Sequence, residues 1–207
     1  MIMSGASRSA EPYAYPMSAH QRRHWPMGYA SYGEYLPWLQ DEFSFRCVYC
    51  LKRMVWAPTD IWVIDHVIPR DLAPELTCDY ENLVLACQCC NRQKSSHRLA
   101  DPCRVAYGSC LRVEPNGEVK WLNAHGKRLV NTIRLNHERY VQERRKMLRV
   151  LQMAACRDRD LFERLMGYPA DLPDLSRLRP PGGNRRPEGV EDSVHSRRVR
   201  GDLSRTY

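Results

Sequence analysis

Short β-branched and aromatic runs, each closed by a polar residue or a proline, set the rhythm of the middle of this chain. Ile61-Trp62-Val63-Ile64 has strand composition and delivers Asp65 and His66 at its end, where Pro69 then removes a ladder donor. Leu83-Val84-Leu85 predicts a second short strand, and Asn91 to about Arg98 predicts a helix with a basic first turn. Phe43 and Phe45 alternate into Cys47 as a strand would, with Met54-Val55-Trp56 as its return. Further on, Leu111–Pro115 and Glu118–Leu122 flank Asn116-Gly117, a hairpin signal. A long helix is predicted from Asn136, as N-cap, to about Ala155, and a shorter one within 157–167.

Upstream, Tyr29, Tyr32, Tyr35 and Trp38 recur at threefold spacing. Such a row can stack on bases, but one packed helical face is the reading favoured here. Ser31 and Glu34 have capping-box spacing, although Gly33 and Pro37 argue against a continuous helix. The resulting organisation is a flexible segment at 1–28, a metal-site module with packing elements at 29–100, a hairpin-helix extension at 101–167 and a disordered Pro/Gly/Arg-rich tail at 168–207.

Composition narrows the class. The chain has 207 residues and a net charge of +8, which suits a polyanionic partner without identifying one. Only three residues are Phe and mean hydropathy is −0.59, so a metal staple would help a modest core. No apolar run reaches the roughly 20 residues needed to cross a bilayer. Nine cysteines, an odd number, fit metal binding in a reducing compartment better than a disulfide framework, which points to the cytoplasm.

Two Cys-x-x-Cys knuckles, Cys47/Cys50 and Cys87/Cys90, supply the four soft ligands of a structural zinc. Cys89 is a third thiol beside the second knuckle, and the spacing assigns it the role of a buried or free cysteine. The 36 residues between the knuckles are long enough to carry structure of their own. They hold Asp65 and His66, whose chemistry suits phosphodiester hydrolysis: an imidazole to take a proton from water, and a carboxylate to hold a hard cation. Asn91 offers a second oxygen ligand, and Arg92 and Lys94 fit phosphate contacts. Taken singly, Asp65-His66 reads as a surface or capping pair, Asn82 as a turn residue and Asn91 as a helix cap. His97 reads as a surface or phosphate-contacting residue. The His20-x-x-x-His24 pair sits among arginines, which disfavours a cation.

Together, Asp65-His66-Val67-Ile68-Pro69, Asn82-Leu83 and Cys87-x-x-Cys90-Asn91-x-x-Lys94 resemble the motif of the HNH endonucleases of ββα-metal type, in the subgroup with a four-cysteine zinc. The resemblance implies a DNA endonuclease with His66 as general base. It also implies one Mg²⁺ or Mn²⁺ between Asp65, Asn91 and the phosphate, with Asn82 holding the loop and orienting His66. Many members have His where this chain has Asn91, which moves the expected metal toward oxygen-favouring ions. The expected fold is α+β: a zinc-stapled ββα-metal module with N-terminal packing elements and a C-terminal hairpin plus long helix. The rival reading is a non-catalytic zinc module that binds nucleic acid through its basic surface.

Overall fold

A computed structural model describes residues 11–207. Its centre is an antiparallel pair, β1 (Trp62–His66) and β2 (Leu83–Cys87), in the register Asp65↔Val84 and His66↔Leu83. Every residue of β2 is buried, so its apolar run has protein on both faces. One face is covered by α1 (Leu36–Glu42), and α2 (Gln88–Lys94) follows directly on Cys87, which ends β2 and is the N-cap residue of the helix. This ββα unit is the α+β core that carries both sites.

Both strands come out as the pattern predicts, but the helix does not start at Asn91. It runs from Gln88 to Lys94, so Asn91 lies mid-helix, and Ser95 ends it at a left-handed φ of 49°. The strands expected at Phe43–Phe45 and Met54–Trp56 are replaced. Phe43 caps α1, Ser44 and Phe45 have positive φ, and Met54–Trp56 is a 3-10 turn. Only an isolated bridge, Arg46 to Arg53, survives of that pairing. The chain must reverse tightly here to bring the first knuckle onto β2, where the Val48 amide donates to the Leu85 carbonyl at 3.1 Å.

The aromatic row is packing. Tyr35 and Trp38 are buried, and the Ser31/Glu34 capping box is present on a 3-10 turn, Tyr32–Tyr35, that leads into α1. Downstream, β3 (Leu111–Val113) and β4 (Val119–Trp121) form the expected hairpin. Gly117 turns it with φ 85°, and a side chain there would meet the Val141 carbonyl at 2.6 Å. Two helices sit against it: α3 (Ala124–Ile133), capped by Asn123 and not anticipated by the pattern, and α4 (Glu138–Arg157). Asn136 does not cap α4. Its amide instead receives the Val119 N–H at 2.7 Å and donates to the Val119 carbonyl at 2.9 Å, extending β4 with a side chain. The short helix expected next is α5 (Arg159–Met166).

The terminal segments depart most from expectation. The flexible segment expected at 1–28 falls partly on residues 1–10, outside the described residues. From 11 onward it is packed, with Tyr13, Tyr15 and His24 buried. The tail expected to be disordered holds α6 (Glu188–Glu191) and α7 (Val194–Arg200) and pairs with the N-terminal segment. Met27 N–H donates to the Gly183 carbonyl at 2.9 Å, and Arg185 N–H to the Trp25 carbonyl at 3.0 Å. Tyr207 stacks on Tyr168 at 4.2 Å, with the Arg53 guanidinium 4.0 Å over its ring. Backbone pairing and arginine–aromatic stacking order a segment whose apolar content alone would not. Among the described residues, no helix is long and apolar enough to cross a membrane.

Candidate active site and metal centre

Cys47 and Cys50 come from the tight turn after α1, Cys87 from the end of β2 and Cys90 from the first turn of α2. Their four sulfurs lie within 4.8 Å of one another. Cys50 Sγ and Cys87 Sγ are 3.8 Å apart, the edge of a tetrahedron whose metal–sulfur bonds are about 2.3 Å. The donor set fits zinc. Leu51, at φ 60°, folds the first knuckle so that its N–H reaches the Cys47 carbonyl at 3.0 Å. Cys89 is exposed and is not one of the clustered four, which corrects the buried alternative.

Asp65, His66 and Asn91 line one cleft of about 410 Å³, together with Tyr32, Arg70, Asp71 and Arg92. Asp65 is buried, and both its carboxylate oxygens have donors: Lys94 Nζ at 3.0 Å on Oδ1 and the Tyr49 hydroxyl at 2.5 Å on Oδ2. A carboxylate offers about four lone-pair sites, so both oxygens keep acceptor capacity for a cation. Burial raises the Asp65 pKa, and the Lys94 charge opposes that rise. Burial, with the Asp65 charge beside it, pushes Tyr49 well above a free phenol, so Tyr49 remains the donor.

His66 is oriented by a backbone oxygen. Its Nε2 lies 3.0 Å from the Thr77 carbonyl, which can only accept, so Nε2 carries the proton and Nδ1 is the free base. Burial lowers the His66 pKa, helped by the charges of Arg70 and Lys94 and opposed by the Thr77 hydrogen bond and Asp65. The ring also packs against Tyr32, with centroids 5.0 Å apart.

Asn82 braces the connector between the strands. Its Oδ1 accepts from the Ile68 N–H at 2.8 Å, and its Nδ2 donates to the Ile68 carbonyl at 3.0 Å and the Leu76 carbonyl at 3.3 Å. Leu76 precedes Thr77, so the same amide sits one residue from the carbonyl that fixes His66.

Lys94 requires a correction. It is 1% exposed, bonded to Asp65 and, at 2.6 Å, to the His66 carbonyl, so it is an internal counter-charge and not a surface phosphate contact. Its position at the last turn of α2 aims it inward. Arg92, two residues earlier, is exposed at the cleft. His97 is exposed, and its Nδ1 donates to the Lys94 carbonyl at 2.9 Å, closing the end of α2. His20 and His24 hold carboxylates: Nε2 of His20 lies 2.7 Å from Glu42 and Nε2 of His24 lies 2.8 Å from Asp41. Sequence reasoning missed Tyr49 and the Thr77 carbonyl. Tyr49 sits within the knuckle it named, while a main-chain oxygen leaves no sequence signal.

A search of curated proteins finds no match to this chain. Residues 47–97, about a quarter of its length, match the family model for HNH endonuclease. The knuckles, the β1–β2 pair, α2 and the cleft all fall within or against that segment, which is therefore an HNH endonuclease domain.

Proposed function

We propose that this protein is a divalent-metal-dependent endonuclease that hydrolyses DNA phosphodiester bonds. The convergence of Asp65, His66 and Asn91 on one cleft, with His66 Nδ1 left as its unprotonated nitrogen, carries the reading. His66 Nδ1 takes the proton of the attacking water, and the Thr77 carbonyl accepts from Nε2–H and steadies the imidazolium that forms. Asp65 and Asn91 would hold a Mg²⁺ or Mn²⁺ ion, which when bound supplies Lewis-acid stabilisation of the phosphate and of the departing 3′ oxygen. Arg92 contacts the backbone at the rim without reading sequence. Asn82 keeps the connector, and through it Thr77, in register. The resulting ends carry a 5′ phosphate and a 3′ hydroxyl. One such cleft cuts one strand at a time, so double-strand cleavage requires a dimer or sequential nicks. The free thiols suit work in a reducing, cytoplasmic compartment.

One observation favours the second reading, a non-catalytic zinc module that binds nucleic acid: the Asp65 carboxylate is already paired with Lys94. Nicking of supercoiled plasmid with Mg²⁺, Mn²⁺ or EDTA separates the two. The nuclease nicks only with the ion. Salt-dependent binding with no cleavage under any divalent ion supports the second.

A further inference from the structure

The Thr77 carbonyl holds the His66 imidazole at Nε2, and an aromatic contact adds a second hold on the ring that presents Nδ1. Within the described residues the aromatic contact to His66 comes from Tyr32, outside the segment matched as HNH endonuclease. The two rings meet edge to face, with centroids 5.0 Å apart and planes at 75°, within the range of attractive aromatic pairs.

The turn that carries Tyr32 is held from several sides. Ser31 and Glu34 cap it reciprocally. Tyr35, next on the turn, is buried between Tyr29 at 4.9 Å and Tyr80 at 5.6 Å. Cys78 Sγ donates to the Ala30 carbonyl at 3.5 Å, tying the turn to the residue after Thr77. The Tyr32 ring also carries the Arg70 guanidinium at 5.5 Å, and both residues line the same cleft.

We propose that Tyr32 is a positioning residue that completes the active site from outside the HNH segment, clamping the His66 ring against the Thr77 carbonyl and supporting Arg70 over the cleft. The inference rests on the nuclease reading for its catalytic consequence. The contact is made by the ring, so Tyr32→Phe preserves it and Tyr32→Leu does not.

Plasmid nicking and DNA binding are measured for wild type, Tyr32→Phe and Tyr32→Leu, beside aromatic NMR of the metal-free wild type. Cross-peaks between the Tyr32 and His66 ring protons are expected. Tyr32→Leu lowers kcat on the order of tenfold or more, the scale of a slightly misplaced catalytic group, with the Kd for DNA little changed. Tyr32→Phe retains wild-type kcat. Absence of the cross-peaks, an unchanged kcat in Tyr32→Leu, or a loss shared by Tyr32→Phe overturns the proposal. A weakened Kd that accounts for the whole loss makes Tyr32 a DNA contact instead. A wild type that never cleaves while showing the cross-peaks defeats the nuclease reading, and with it the purpose of the clamp, but leaves the contact established.

Discussion

Lys94 Nζ lies 3.0 Å from Asp65 Oδ1 with both side chains buried, so a cation and a carboxylate neutralise each other at the back of the cleft. Removing one partner leaves the other charge buried alone, which costs about 3–5 kcal/mol. Lys94→Met should therefore lower unfolding stability by that order in urea titrations. Lys94→Met combined with Asp65→Leu should recover part of the loss. A Lys94→Met protein of wild-type stability, with a weaker salt dependence of DNA binding, would return Lys94 to the phosphate-contact role.

Asn82 makes three hydrogen bonds to the connector and is itself buried. Asn82→Ala strands the Ile68 N–H and carbonyl, while the Leu76 carbonyl keeps the Asp79 N–H at 3.2 Å, at a cost of about 1–3 kcal/mol for groups left unpaired. Because the connector also holds Thr77, cleavage should fall further than stability does. The check is kcat measured at a temperature where circular dichroism shows the variant fully folded.

The zinc assignment separates five thiols into four and one. Cys47→Ser, Cys50→Ser, Cys87→Ser and Cys90→Ser should each lose zinc and fold poorly, whereas Cys89→Ser should keep one zinc per chain by metal analysis. Chelation should unfold the wild type, since structural zinc binding is coupled to folding.

These expectations also show what could be read before the fold was known. The knuckles and both strands were legible because each depends on residue type at fixed spacing, and Asp65, His66 and Asn91, picked out on the same ground, line one cleft. Lys94 was misplaced because spacing does not say which face of a short helix meets the strand. The strand expected at Phe43–Phe45 failed because alternation over three residues was overridden by the left-handed turn that closes the knuckle. The tail at 168–207 was misread because its order comes from backbone pairing with residues 25–27, a long-range relation that composition does not record.

Acid should loosen the packing of the N-terminal segment on α1. Burial alone would raise the Glu42 carboxyl, but the hydrogen bond from His20 and the charges of His24, His20 and Arg22 overcome it and hold it down at about 2. A pKa depressed from 4.5 means that Glu42 contributes stability above that value, and the contribution is lost as pH falls toward about 2. Chemical denaturation between pH 5 and pH 2 should show a loss that Glu42→Gln flattens; equal slopes in both proteins would contradict the assignment.

The central claim is that His66 is the base of a metal-dependent nuclease, and plasmid nicking by wild type beside His66→Ala tests it most directly. With zinc content and circular dichroism unchanged between the two, the account predicts Mg²⁺- or Mn²⁺-dependent nicking by wild type and its loss in the variant. Equal nicking by both proteins, or zinc loss and unfolding in His66→Ala, would contradict it and make His66 a structural residue.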